Sequence, residues 1–137
     1  MMNKKNKKIF DTIETLIGNG TTFKGDVIAT KSLRVDGVLV GNIKDAANVI
    51  IGETAQVKGN ITANYVVIDG TVEGNITAND SIELLNKSRV TGDLTTTILS
   101  INEGAKFKGK SLMIEKEEEN VEGNSKENAE ENNEEFI

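Results

Sequence analysis

Residues 59–64 spell GNITAN, and residues 74–79 spell GNITAN again. Each copy starts at a Gly-Asn pair that lies between apolar residues, in the pattern apolar–x–Gly–Asn/Asp–apolar. This pattern, which we call the Gly-Asx marker, recurs along the chain. Its glycines are Gly25, Gly41, Gly59, Gly74, Gly92 and, in a degraded copy, Gly109. A repeat of 15 to 18 residues indicates a solenoid, in which each repeat forms one coil.

A second apolar pair lies between successive markers, at alternate positions. The pairs are Leu33/Val35, Val49/Ile51, Val66/Ile68, Ile82/Leu84 and Leu99/Ile101. Alternation is typical of a strand with one buried face, and each repeat offers three such short strands. Strands this short gain stability by pairing with the matching strand one repeat away. The sequence therefore predicts an all-β fold, a parallel β-helix with a triangular solenoid of about five to six coils.

The spacing of the repeat bears on the hand of this solenoid. Left-handed β-helices also take about 18 residues per coil, but as three strict hexapeptides. Here the spacing varies, and apolar residues do not recur at every sixth position. We therefore predict a right-handed coil, with the left-handed coil as the alternative.

The charge divides the chain into three parts. Residues 21–114, the predicted solenoid, carry ten acids and ten bases. Residues 1–20 carry a net charge of +2, and residues 115–137 carry ten acids and two lysines, a net charge of −8. The acidic segment has too little apolar surface to offset its ordering entropy, so we predict that it is disordered. It is either an acidic interaction tail or a solvating brush.

The N-terminal segment has the composition of a peripheral membrane anchor. Its basic and apolar residues are Lys4, Lys5, Lys7, Lys8, Ile9, Phe10, Ile13, Leu16 and Ile17, the last five at helical spacing. Lysines are attracted to anionic lipid, while one apolar helix face enters the interface. The alternative is a helix or strand that caps the solenoid. No apolar run approaches a membrane span and the segment is a poor secretory signal, so we expect a cytoplasmic protein.

The composition disfavours catalysis and metal binding. The chain has no His and no Cys, which removes the commonest general base and the thiolate ligands. Asp36 and Asp69 are candidate paired acids, but both precede glycine in turns, where Asp is common. The nonapeptide of calcium-binding solenoids is missing. We expect no enzyme activity, no cofactor and no metal, and nothing in the charge distribution along the sequence resembles the basic surface of a nucleic-acid binder.

With its repeats aligned, the chain resembles the bactofilins, a family of bacterial cytoskeletal proteins. The resemblance covers roughly residues 16–113 and is carried by residues 17–26, the Asp-Gly turns at 36–37 and 69–70, the Gly-Asx markers and residues 103–109. It implies subunits that stack end to end into filaments without nucleotide. It also implies attachment to the inner face of the membrane, and client proteins for cell shape, wall synthesis, motility or polarity. A non-polymerising solenoid adaptor is the alternative.

The repeat fails at the ends, where we expect the contacts between subunits. Phe107 is bulkier than the valines at its equivalent positions, and Ser111 replaces an inward Ile or Leu. Together with Leu112 and Met113, Phe107 is the candidate polymer interface at the C-terminal end, and Phe23 is its counterpart in the first coil. The alternative is that Phe107 only plugs its own coil.

Overall fold

Fourteen strands and no helix make up the part of the chain that the computed structural model describes, residues 13–115. The strands are β1 (Ile13–Ile17), β2 (Thr22–Lys24), β3 (Val27–Ile28), β4 (Ser32–Val35), β5 (Val38–Val40), β6 (Ile43–Ile51), β7 (Gln56–Lys58), β8 (Ile61–Ile68), β9 (Thr71–Glu73), β10 (Ile76–Leu84), β11 (Arg89–Thr91), β12 (Leu94–Ile101), β13 (Lys106–Lys108) and β14 (Ser111–Met113). Every pairing between them is parallel and joins neighbouring repeats.

The strands form two parallel sheets that wind together as a solenoid. One sheet has six strands in the order β13-β11-β9-β7-β5-β2, one from each coil, so the solenoid has six coils. The other has eight strands and follows the order β1-β4-β6-β8-β10-β12-β14, with β3 beside β6. The predicted parallel β-solenoid of five to six coils is therefore confirmed. Its right hand stays a prediction, supported by the general preference of parallel crossovers.

The long strands turn a corner, which gives each coil three faces. In β8, Ile61 and Ala63 point inward, and the next inward residue is Val66, three positions later. The six-stranded sheet is the first face of the coil, and the two halves of the long strands are the second and third faces. This break in the alternation marks the bend between the second and third faces. Each inward residue pairs with its equivalent in the next coil, so the core consists of continuous columns such as Ile43, Ile61 and Ile76.

One extra strand residue and the width of the third corner account for the varying repeat length. The strands β6 and β10 have one more residue than β8 and β12. In β6 it lies before Ala46 and coincides with Asp45 at φ 64°, and in β10 it lies at the bend after Ala78. Asp tolerates this left-handed conformation better than most side chains. At the third corner, the two-residue turns Asp36-Gly37 and Asp69-Gly70 alternate with wider four-residue turns until the last coil. The inward residues on both sides of these insertions still pair with their equivalents in the next coil.

The predicted N-terminal helix is wrong over the residues that the structure describes. Ile13–Ile17 is the strand β1, which pairs with β4. This pairing places Ile17 on the column of Val35, where it is 8% exposed. A short isolated helix is marginal in water, whereas the open edge of β4 supplies backbone partners and a buried position. Residues 1–12 and 116–137 lie outside the described part of the chain.

Candidate polymerisation interfaces at the ends of the solenoid

The two ends of the solenoid expose strand edges. In the larger sheet the edge strands are β1, β14 and the short β3, which pairs only with β6, and in the six-stranded sheet they are β2 and β13. Strands between them have a partner on both sides, whereas an edge strand presents a row of backbone groups to further pairing. Each end is therefore a template on which another parallel strand can add.

The structure places both predicted aromatic residues on one column. Phe23 pairs with Leu39 and Phe107 pairs with Val90, and the column between them continues through Val57 and Val72. The four aliphatic members are buried. Phe23 is 40% exposed, while Phe107 is partly buried and packs against the core. An aromatic side chain thus closes the column at each end, and the one at the N-terminal end remains largely open.

The C-terminal end exposes the other predicted residues on its last strand. Ser111 is buried and takes the inward position below Leu94. Met113 occupies the inward position below Thr96 and is 38% exposed because no further coil covers it. Leu112 points outward beside Thr95 and is 37% exposed. The structure thus brings Phe107, Leu112 and Met113 to one end, on the two final strands.

Three further apolar residues at the ends are missing from the predicted set. They are Leu16 and Ile28 at the N-terminal end and Ile98 at the C-terminal end, exposed by 59%, 69% and 59%. Leu16 lies on β1, Ile28 on β3, and Ile98 on the second half of β12, beyond the residues that pair with β14, and all three are outside the buried core. The aligned repeats contain a signal for Ile28, because the equivalent outward positions in the middle coils are Thr62 and Thr77.

A ladder of side-chain hydrogen bonds runs along the first corner of the coil, which is the turn at the Gly-Asx markers. The side chain of Asp26 accepts a hydrogen bond from the backbone N–H of Asn42 at 3.0 Å, and Asn42 accepts one from Asn60 at 2.8 Å. The ladder continues in the same direction through later coils. Its remaining members are Asn75, Asp93 and, as a backbone donor only, Lys110. A lysine side chain has no acceptor, so the ladder ends at the last coil.

Asp26 is the exposed first member of this ladder. The hydrogen bond from Asn42 is the largest cause that lowers the pKa of the Asp26 carboxyl from its ordinary value of 3.8. Lys44, whose Nζ lies 3.5 Å from Asp26 Oδ2, lowers this pKa further. Both partners favour the charged form of the carboxyl, so Asp26 is a carboxylate at neutral pH.

The predicted membrane-targeting residues fall largely outside the described chain. Lys4, Lys5, Lys7, Lys8, Ile9 and Phe10 lie before its first residue. Ile13 is the first residue of β1, and its backbone pairs with Ser32. Between residues 13 and 115 there is no helix long and apolar enough to cross a membrane.

The candidate acids Asp36 and Asp69 have structural partners. Arg34 donates to Asp36 from Nε at 2.9 Å, and the side chain of Asp69 accepts the backbone N–H of Lys87 at 3.2 Å. A wide turn at residues 52–55 separates the two Asp-Gly turns in the stack. Within residues 13–115, His, Cys, Asp and Glu form no group that could hold a metal ion.

Comparison with known proteins identifies this architecture. The profile of the bactofilin family, described as polymer-forming cytoskeletal, matches residues 15–112. The chain is similar to bactofilin BacO of Myxococcus xanthus, with 33% identity over 103 residues that cover 75% of this chain and 82% of the relative. It is also similar to bactofilin BacP of the same organism, with 29% identity over 99 residues, 72% of this chain and 41% of the relative.

A solved structure agrees with the same assignment. The solid-state NMR structure of the cytoskeletal bactofilin BacA matches with a TM-score of 0.65 and 34% identity, over 74% of this chain and 96% of that chain. The family profile, the curated relatives and the solved fold all cover the same solenoid. The chain therefore belongs to the bactofilin family of cytoskeletal, polymer-forming proteins.

Proposed function

We propose that this bactofilin is a structural scaffold whose solenoids stack end to end into filaments without nucleotide. The observation that carries the proposal is the contrast along each column. Interior members of the inward columns are buried, whereas Phe23 is 40% exposed at one end and Met113 is 38% exposed at the other. The outward residues Leu16 and Ile28 at one end, and Ile98 and Leu112 at the other, add exposed apolar surface around them. Stacking two ends removes this apolar surface from water and supplies partners to the edge strands.

The filament also serves, in this proposal, as a platform at the inner face of the membrane. The basic and apolar residues between Lys4 and Ile13 provide attraction to anionic lipid, and the polymer multiplies this weak contact. Proteins for cell shape, wall synthesis, motility or polarity would be recruited along the filament. The buried columns are filled with aliphatic side chains, which suits the described solenoid to a structural role as a rod.

The assembly test uses Phe107→Arg and Leu112→Arg, with Tyr65→Arg as the matched control. Tyr65 is 44% exposed like the end residues, but it lies on a middle coil. Wild type and Tyr65→Arg should form long filaments in negative-stain micrographs without added nucleotide. Both terminal variants should give short, soluble species, because an arginine at a stacked end places an unpaired charge in an apolar contact.

Circular dichroism and sedimentation velocity complete this test. Leu112 points outward, so Leu112→Arg should keep the wild-type β spectrum even where Phe107→Arg loosens its own coil. Filaments of wild-type length from both terminal variants would overturn end-to-end stacking. A wild-type protein that sediments as a monomer would favour the adaptor, and filaments that require ATP or GTP would contradict assembly without nucleotide.

The membrane contact is tested by deleting residues 1–10. The full chain should float with phosphatidylglycerol vesicles in a density gradient and should not float with phosphatidylcholine vesicles, while the deletion variant should float with neither. Flotation is needed because filaments pellet on their own. Replacing Lys4, Lys5, Lys7 and Lys8 by Gln separates the electrostatic part from the apolar part. Unchanged flotation of the deletion variant would remove the membrane contact from the proposal.

A further inference from the structure

The outer surface of the six-stranded sheet concentrates positive charge. Its strands β2, β5, β7, β9, β11 and β13 hold five bases, Lys24, Lys58, Arg89, Lys106 and Lys108, against one acid, Glu73, a net charge of +4. The rest of residues 13–115 holds five bases and eleven acids, a net charge of −6. We call the outer surface of this sheet the basic face. The remainder of the described solenoid is acidic.

The charges of the basic face are not neutralised within the described chain. All five basic residues are exposed. The ion pairs of residues 13–115 lie elsewhere, between Arg34 and Asp36, Lys44 and Asp26, and Lys87 and Glu53. Because like charges on neighbouring strands repel each other, an anionic partner would stabilise this arrangement.

The charge is densest at the C-terminal end of the face. Arg89 is directly opposite Lys106 in the parallel register, and Lys108 follows two residues later on the same strand. Neighbouring strands lie about 4.8 Å apart, and alternate residues of one strand lie about 7 Å apart. Three positive groups therefore fall within about 10 Å of one another. Such a cluster suits a flexible segment with closely spaced carboxylates.

We propose that the acidic segment 116–137 of the same chain lies on the basic face. This segment holds nine acids and two lysines, a net charge of −7, and it follows directly on the last coil. Residues 117–119 are three consecutive glutamates, which follow the end of β14 by only a few residues. Charge complementarity and the point of attachment both favour the basic cluster as their partner.

The segment is long enough to follow the whole face. Its 22 residues span up to about 70 Å when extended, whereas the six stacked strands of the face extend over about 24 Å. Each exposed ion pair is weak, and salt screens it. Attachment to the same chain compensates by giving the segment a high effective concentration at the face. Membranes, nucleic acids or acidic proteins must then displace the segment to reach this surface.

Cross-linking tests the proposal, because the chain has no Cys and introduced ones are specific. One variant carries Thr91→Cys on the basic face and Asn128→Cys in the acidic segment. The control carries Ser100→Cys with Asn128→Cys. Thr91 and Ser100 are exposed strand residues of the same coil, but Ser100 pairs with Glu83 on another face. A short bis-maleimide should link the Thr91 variant about tenfold faster at low salt, and this preference should vanish at 0.5 M NaCl.

A charge reversal with a matched control identifies the cause of the preference. Lys106→Glu with Lys108→Glu should abolish it, while Lys31→Glu with Lys87→Glu, which changes the net charge equally outside the face, should not. Linked product that migrates as a dimer on denaturing gels would assign the segment to a neighbouring subunit and overturn the proposal. Equal rates at Thr91 and Ser100, or a preference unaffected by salt, would also overturn it. Protection of Thr91→Cys by anionic vesicles alone would assign the face to lipid instead.

Discussion

The middle coils and the terminal coils share one pattern but differ in what surrounds them. In the middle, Val57 and Val72 have a partner above and below, and both are buried. At the N-terminal end of the same column, Phe23 has a partner on one side only and is 40% exposed. Residues at equivalent positions of the repeat therefore differ in burial. In a solenoid the stacked neighbour completes each coil, so the terminal coils are incomplete without another partner.

The difference shows how a repeat can be both a stable rod and a polymer unit. In an interior coil, the backbone groups and the core side chains find their partners in the coils above and below. The Asx ladder repeats the same hydrogen bond from one coil to the next. A solenoid that ended in polar capping elements would stop there. Here the described terminal strands carry apolar residues instead, as the proposed end-to-end stacking requires.

The largest effect that separates the two regions is expected at the marker glycines. Gly59 has φ +153°, and a Cβ there would lie 1.8 Å from the carbonyl oxygen of Gly41 in the stacked coil. Gly25 has φ +139°, but a Cβ there would meet only the Phe23 ring, at 3.7 Å. Gly59→Ala should lower the free energy of unfolding by about 3 kcal/mol or more, and Gly25→Ala by about 1–2 kcal/mol. Both substitutions introduce backbone strain, but only Gly59→Ala also clashes with the stacked coil.

Chemical denaturation of both variants measures this difference. The experiment is done in an unassembled background such as Phe107→Arg, so that no second subunit covers Gly25. Equal losses of stability in the two variants would mean that stacking adds nothing to the requirement for glycine. A Gly25→Ala variant that is the less stable of the two would reverse the comparison between middle and end.

Much of the fold follows from short-range pattern. The markers and the alternating pairs predict the strands, and the recurrence of apolar residues at the same places in every repeat predicts the parallel register. The predicted helix over β1 was wrong, because Ile13, Leu16 and Ile17 fit a helical spacing. Only pairing with the open edge of β4 favours a strand there. The sequence also left the repeat length unexplained, since one extra residue near Asp45 has no clear local signature.

The sequence predicted the inward-facing residues of the candidate interfaces, but it did not reveal most of the outward-facing ones. Phe23 and Phe107 lie on an aliphatic column, so the repeat alone marks them as unusual. Ile98 is an ordinary strand residue until the second half of β12 is known to have no strand stacked beyond it. The basic face was concealed because ten acids and ten bases cancel over residues 21–114. Only the assignment of Lys58, Arg89 and their neighbours to one sheet separates the charges.

The smallest expected effect concerns Asp26, the exposed end of the Asx ladder. Its pKa is lowered mainly by the hydrogen bond from the backbone N–H of Asn42. A lowered folded-state pKa means that the charged form contributes stability above the unfolded pKa of about 3.8, and that this contribution is lost as the pH falls through the folded pKa. Wild type should therefore exceed Asp26→Asn in melting temperature by a small margin at pH 6, and this margin should shrink as the pH falls below 3.8 and through the folded pKa.

Carbon-detected NMR titration of the Asp26 carboxyl checks the cause directly, again in an unassembled background. Lys44→Gln should leave the pKa below 3.8, because the hydrogen bond from Asn42 is the larger cause and the ion pair with Lys44 the smaller one. A carboxyl that titrates at or above 3.8 in the wild type would show that the first rung of the ladder is open in solution. The end coil would then be frayed, and the hydrogen bonds of the middle coils would not extend to the end at which we propose that another subunit stacks.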